Sequence, residues 1–364
     1  MTVRPTVRVG VAAAALVGAA LAAAVTATSP SSVAAAPSAP FSAPSLAAPV
    51  STRFDLEGHR GTRGERPEDT LPAFARALDI GVRTLELDTG VSKDGVVVVS
   101  HDSFINPLVC RDTAPATPGD PAFPYVGRAI VDLTFAQLET LDCGTRTPTD
   151  PATDPFFGTQ VPVPGTRIPT LDQVFALVEQ RGADGVQLNI ETKIDPTQPR
   201  LTVNPEAFVR RDLAVIRAHR NGVARSLLQS FDWRTLAIAR DLEPDLRRVA
   251  LVDASTAQVG VPGASPWLGG IDVDAAPYRG DVPSAATSVG AAVVSPDQSL
   301  VDSRFVASAH RHGELVVPYT VNAVRDMQAL ITRGVDGLIT DYPDRLRDVM
   351  ALDGFRLPVP QPAR

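Results

Sequence analysis

The chain has 364 residues, 44% of them hydrophobic, which is enough to fill a substantial core and excludes a disordered polymer. Its 41 acidic residues outnumber 34 basic ones, for a net charge of −7, and no basic run overrides that field, which argues against nucleic acid as a partner.

In chain order, residues 1–27 place Arg4 and Arg8 before an Ala-dominated apolar stretch and close on the small residues Val25-Thr26-Ala27. This reads as a secretory signal peptide, so a secreted or envelope-associated protein without stable membrane insertion is expected. Residues 28–50, rich in Ala, Ser and Pro, read as a disordered linker, residues 51–355 as the folded domain and 356–364 as a tail.

Short runs rich in Val, Ile and Leu follow at 54–58, 84–88, 96–100, 186–191, 226–230, 247–252, 291–295, 315–320 and 337–340. Most are separated by segments with helical spacing, such as Leu71, Phe74, Ala75 and Leu78, or Leu171, Val174, Phe175 and Val178. Alternation of this kind predicts a parallel sheet closed into a (β/α)₈ TIM barrel. There is one run more than eight strands require. Ser92-Lys93-Asp94-Gly95, between the second and third runs, is too short for a helix, so one of those two is an irregular pairing or lies off the barrel.

A long insertion at about 103–165, after the third strand, is rich in Pro, Asp and Thr and holds the chain's two cysteines, Cys110 and Cys143. A loop leaving the C-terminal end of a barrel strand overhangs the mouth, so a wall or lid is one expectation and a surface decoration the other. Export places Cys110 and Cys143 where a disulfide persists, against the alternative of two buried thiols.

His59 ends the first run, in Gly58-His59-Arg60-Gly61. Glu86 and Asp88 lie on one side of the second run because side chains alternate along a strand. Two carboxylates facing one way lose hydration and repel each other, which calls for a hard cation with oxygen ligands or for an Arg or Lys partner. His101 emerges after the third run, and Asn189, Glu191 and Lys193 share a face of the fourth. Phe231 and Tyr319 are candidate walls of the same pocket. Trp233 and Trp267 are at least as well explained by core packing, and His219, His310 and His312 by solvated helix ends.

His59-Arg60-Gly61 with Pro67-Glu68-Asp69-Thr70, then Glu86-x-Asp88, Lys93-Asp94-Gly95, His101-Asp102, Glu191-x-Lys193, Ser230-Phe231, Thr320-Val321-Asn322, Gly334-Val335-Asp336-Gly337 and Thr340-Asp341 resemble the glycerophosphodiester phosphodiesterase family, in its order, over roughly residues 54–350. The resemblance implies a barrel enzyme that cleaves glycerophosphodiesters to glycerol 3-phosphate and an alcohol with one divalent cation, Ca²⁺ or Mg²⁺. It makes Glu86, Asp88 and Glu191 the metal ligands, His59 and His101 the acid–base pair, and Arg60 and Lys193 the phosphate contacts. The chain departs from the family at Asp69, Thr192 and Tyr319, where Asn, an apolar residue and often Trp are usual. The third departure lies near where the glycerol or headgroup should pack, so it bears on substrate preference. A small-molecule glycerophosphodiester substrate and a monomer are expected. The competing readings are a phospholipase D-type enzyme acting on lysophospholipid or sphingolipid headgroups, and a non-catalytic binder of polyol-phosphate polymers.

Overall fold

In the computed structural model, which describes residues 54–146 and 154–363, the apolar runs become β1 (Asp55–Gly58), β2 (Thr84–Val91), β3 (Val97–Val99), β4 (Gln187–Thr192), β5 (Ser226–Ser230), β6 (Arg247–Val252), β7 (Val293–Pro296), β8 (Leu315–Val316) and β9 (Gly337–Thr340). All except β3 pair in parallel, in the order β8-β7-β6-β5-β4-β2-β1-β9. The backbone N–H groups of Asp336, Ile339 and Val321 donate to the carbonyls of Val316, Pro318 and Ile339, each at 2.9 Å, and so bring the two ends of the sheet together. The expected (β/α)₈ barrel is present. The expected signal peptide and linker lie outside the described residues, and no helix among those described is long and apolar enough to cross a membrane.

The helices form where their signals stand. Helix Leu71–Ile80 is capped by the Thr70 hydroxyl, carries Pro72 in its first turn where a missing N–H costs nothing, and stops at Gly81, whose φ of 87° suits glycine. Thr170 and Gln173 form a reciprocal capping box at the start of helix Leu171–Gln180. Their apolar faces, Phe74 and Leu78 in one and Val174 and Phe175 in the other, are buried against outward-facing Leu56, Leu85, Leu87, Leu188 and Ile190 of the sheet. Each such side chain contributes about 1.5–3 kcal/mol when fully buried.

The third run is the one that lies off the barrel. β3 pairs antiparallel with β2, through Thr89–Val99, Gly90–Val98 and Val91–Val97. The five-residue connection 92–96 can join only antiparallel neighbours, because a parallel crossover needs a dozen residues or more. Gly95 permits this turn with a φ of 84°, its N–H donating to the Ser92 carbonyl. The segment at 103–165, which follows β3, therefore falls within the second β/α unit.

That segment has its own small core, which includes Val98, Ile105, Tyr125, Ile130, Leu133, Leu138 and Leu141. Cys110 and Cys143 are joined in the expected disulfide, with a Cα–Cα distance of 4.1 Å. An antiparallel bridge between Arg111 and Asp142 runs beside it. At the other end of the chain, Gln361 N–H donates to the Leu78 carbonyl and Phe355 meets the Phe54 ring at 5.0 Å, which lays the final residues against the barrel.

Candidate active site

Alternation along the strands divides the barrel interior. Leu227, Val249, Val293, Val317 and Ile339 fill one side with an apolar cluster. The other side is polar. Asn189 Nδ2 donates to Glu57 Oε2 and to Gln229 Oε1, both at 3.0 Å, and Gln229 Nε2 donates to Glu86 Oε1 at 2.7 Å.

Above this layer the register of β2 and β4 sets Asp88 opposite Glu191. Glu86, Asp88 and Glu191 are all buried and each offers a ligand atom, these atoms lying within 4.8 Å of one another. Lys193 Nζ is 2.9 Å from Glu191 and 3.6 Å from Asp88. Arg60 Nε is 3.0 Å from Asp88 Oδ2, its Nη1 is 2.5 Å from Glu68, and its backbone N–H donates to Glu86 Oε2 at 2.8 Å from a left-handed conformation, φ 48°.

These contacts leave negative charge unmet. Burial and the Asp88 charge raise Glu86 well above its ordinary value, and burial pushes Glu191 up to about 7 against the pull of Lys193. Burial acts the same way on Asp88, but Lys193 and Arg60 outweigh it and hold that carboxyl far below the usual range. Asp88 Oδ2 is buried and accepts no hydrogen bond among the described residues, being misaligned with Arg60 Nε. Three crowded carboxylates with an unsatisfied buried oxygen fit a hard divalent cation such as Ca²⁺ or Mg²⁺, which takes oxygen ligands.

The two histidines are each tied through Nδ1 to a carboxylate. His59 Nδ1 lies 2.6 Å from Asp341 Oδ1, and Asp341 is fixed in turn by Asn322, whose Nδ2 donates to Oδ2 at 2.7 Å while its Oδ1 accepts from the Asp341 N–H. His101 Nδ1 is 3.0 Å from Asp102, whose other oxygen accepts from Asn106 at 2.6 Å. Burial, then Arg60, lowers His59 despite Asp341; burial, then Lys193 and Arg60, lowers His101. Each imidazole keeps Nε2 for other partners. β3 delivers His101 by an unexpected route. Running back along the long β2, it ends with Ser100 N–H donating to the Asp88 carbonyl, so His101 arrives beside the carboxylates.

Every residue singled out from the sequence for catalysis, metal or substrate lines one cavity of about 200 Å³. Phe231 and Tyr319 meet edge to face at 5.8 Å, and Lys193 Nζ stands 5.9 Å from the centre of the Phe231 ring. Burial, followed by the charges of Asp253, Glu191 and Asp297, raises the Tyr319 phenol, which donates to the Val252 carbonyl. Arg60 lines the cavity with its guanidinium engaged by Glu68 and Asp88. His219 instead stacks on Phe175 at 4.5 Å, and His310 pairs with Asp336.

Sequence reasoning left Asp341, Asn322 and Gln229 without a role. The signal for two of them was present: Asp341, one residue past β9, continues the alternation of Ile339, and Gln229 of β5 is two residues before Phe231, by the same alternation that picks out Glu86 and Asp88.

The family model of the glycerophosphoryl diester phosphodiesterase family matches residues 59–345. A glycerophosphodiester phosphodiesterase of Caldanaerobacter subterraneus is 26% identical over 296 residues, 81% of this chain and 97% of its own length. The crystal structure of a Silicibacter pomeroyi protein assigned as a glycerophosphoryl diester phosphodiesterase superposes with a TM-score of 0.69 at 30% identity, covering 84% of this chain and 95% of that one. A phosphodiesterase of Oleispira antarctica, solved in complex with the product sn-glycerol-3-phosphate, shares the fold at a TM-score of 0.58 and 22% identity, over 82% of this chain and 97% of its own. The barrel, the convergence of these side chains and the family match lead to one conclusion: the chain belongs to the glycerophosphoryl diester phosphodiesterase family and is a phosphoric diester hydrolase.

Proposed function

We propose that the protein hydrolyses glycerophosphodiesters to glycerol 3-phosphate and an alcohol, with His59 and His101 as the acid–base pair and Glu86, Asp88 and Glu191 holding one divalent cation, Ca²⁺ or Mg²⁺. The observation that carries this reading is the placing of two carboxylate-tethered imidazoles on the cavity that holds the three-carboxylate group. The sn-glycerol-3-phosphate bound by the Oleispira protein is the product this reaction yields. When bound, the cation neutralises the charge of the diester and makes a coordinated oxygen easier to deprotonate.

The chain's own groups then divide the work. One imidazole Nε2 takes the proton of the glycerol hydroxyl neighbouring the phosphate, and that oxygen bonds to phosphorus as the bond to the leaving alcohol breaks. The other imidazole gives its proton to the departing oxygen. Water opens the cyclic phosphate with the two roles exchanged. Lys193 presents its ammonium to the phosphate. Arg60 holds Asp88 and, through its backbone, Glu86, while Phe231 and Tyr319 wall the substrate. Replacing His59 or His101 by Ala lowers kcat about 10²–10⁴-fold with the circular dichroism spectrum retained; near-full turnover in either variant removes that residue from the mechanism.

In the same proposal the enzyme is exported by residues 1–27 and acts as a monomer outside the cytoplasm. The Cys110–Cys143 disulfide supports export, because such bonds persist in oxidising compartments. A second reading, phospholipase D-type cleavage of lysophospholipids, is favoured by exposed Phe104, Leu108, Phe157 and Val161 on the segment that follows His101. Glycerophosphocholine and lysophosphatidylcholine assayed in parallel separate the two: cleavage of the lipid alone overturns the first.

A further inference from the structure

Beside the first cavity lies a second of about 240 Å³, and the two share Glu191, Lys193 and Phe231. A phosphodiester carries two ester arms. In the proposed reaction the phosphate sits against Lys193 and the carboxylates, so the shared residues mark the point where the arms diverge. The first cavity, with both histidines, takes the glycerol arm whose hydroxyl must be deprotonated. The second is left for the alcohol that departs.

The remaining walls of the second cavity have a definite chemistry. Trp267 is half-buried, its carbonyl accepts the Trp233 N–H at 2.8 Å, and its ring meets Phe231 at 6.4 Å with an interplanar angle of 80°. The two rings form a corner. Asp253 and Asp195 add carboxylates. Asp253 caps the turn at 254–257, its Oδ1 accepting from Ser255 N at 2.7 Å and Thr256 N at 2.8 Å, while its Oδ2 accepts no hydrogen bond among the described residues. Lys193, which also lines the cavity, is the group that faces the phosphate in the proposed reaction, and its Nζ stands 2.9 Å from Glu191 and 3.6 Å from Asp88. Aromatic faces attract cations through their quadrupole and carboxylates through charge, and an alkylated ammonium is cheap to desolvate. A neutral polyol gains neither interaction, and an anionic headgroup is repelled.

We propose that this second cavity selects a leaving alcohol that bears an ammonium group, an aminoalcohol of the choline type. The proposal rests on the phosphodiesterase reading and names the substrate class of the same site. Asp253, Trp267 and Phe231 are its specificity-determining residues.

The test is steady-state kinetics on glycerophosphocholine and on glycerophosphoglycerol, which has a neutral arm, for the wild type, Asp253→Asn and Trp267→Leu, with Ca²⁺ or Mg²⁺ supplied. Asp253→Asn retains an oxygen able to cap the turn, and thermal melting checks that both variants fold. The wild type is expected to show a kcat/KM for the choline diester roughly tenfold above that for the glycerol diester. Each variant is expected to lower this ratio roughly 2–30-fold, mainly through KM for the choline compound. The same ratio for lysophosphatidylcholine over lysophosphatidylglycerol tells a lipid source of the headgroup from a soluble one, the ammonium preference being expected in whichever class is cleaved. A wild-type ratio near one, or a ratio unchanged in both folded variants, overturns the aminoalcohol subsite while leaving the phosphodiesterase reading intact. Failure of the wild type to cleave any of the diesters overturns that reading and the subsite with it.

Discussion

His59 Nδ1 and Asp341 Oδ1 stand 2.6 Å apart although 282 positions separate them in the chain, because β1 and β9 are parallel neighbours with Gly58 opposite Thr340. The contact fixes the imidazole with its proton on Nδ1 and Nε2 free. Asp341→Asn removes the charge, and an amide can present its N–H to the ring and favour the wrong tautomer. kcat is expected to fall about 10²–10⁴-fold, the range for loss of an acid–base group, with KM for the diester changed little. Steady-state kinetics decide this, and a loss below threefold would show that Asp341 does not set the state of His59.

In the proposed chemistry Gln229 acts through Glu86, which it holds at 2.7 Å while accepting from Asn189. Gln229→Leu leaves both partners short of a hydrogen bond inside the barrel. Because groups that orient metal ligands set affinity, calorimetric titration with Ca²⁺ or Mg²⁺ should show binding weakened about 10–100-fold. A lower melting temperature with unchanged cation affinity would confine Gln229 to a structural part.

Glu314 provides a pH dependence removed from the active site. It precedes β8, is 2% exposed, and neither carboxyl oxygen has a hydrogen-bond partner among the described residues. Burial, followed by the charge of Asp281, pushes its carboxyl up to about 8 from an ordinary 4.5. A carboxyl raised on folding holds its proton more tightly in the native state, so the native chain binds more protons than the unfolded one between these values and stability falls as pH rises through them. Other buried carboxylates titrate as well, so the informative quantity is the difference between the wild type and Glu314→Gln. Thermal melts at pH 5 and pH 8.5 should show a smaller loss of stability on alkalinisation in the variant; equal losses would mean that Glu314 ionises freely.

How far the site could be read from the sequence followed the range of the interactions concerned. Glu86, Asp88, Glu191 and Lys193 were legible because a period of two assigns the faces of β2 and β4 without knowledge of the fold. The same rule applies to Asp341 and Gln229, yet a role for either needs its partner, and the partners lie on other strands. Val96 to Val99 read equally well as a parallel or an antiparallel strand, since pairing is a long-range choice; only the brevity of the Ser92–Gly95 turn hinted at a hairpin. Arg60 shows the other limit. The resemblance alone assigned it to the phosphate; the burial of its guanidinium between Glu68 and Asp88 depends on the left-handed backbone at φ 48° and on β2 beside it, which no local pattern shows. The small core around Tyr125 and Ile130 was hidden among prolines, because its members follow neither a strand nor a helix period.

Cation binding by the three carboxylates is the claim on which the proposed chemistry rests, and chelation tests it most directly. Protein treated exhaustively with a chelator should lose diester hydrolysis and recover it with Ca²⁺ or Mg²⁺. The restored ion should also raise the melting temperature, by an amount equivalent to about 2.7 kcal/mol at a hundred times Kd, and Glu86→Gln, Asp88→Asn and Glu191→Gln should each blunt that rise. Full activity in metal-free protein, with no change in melting on adding either ion, would contradict the account.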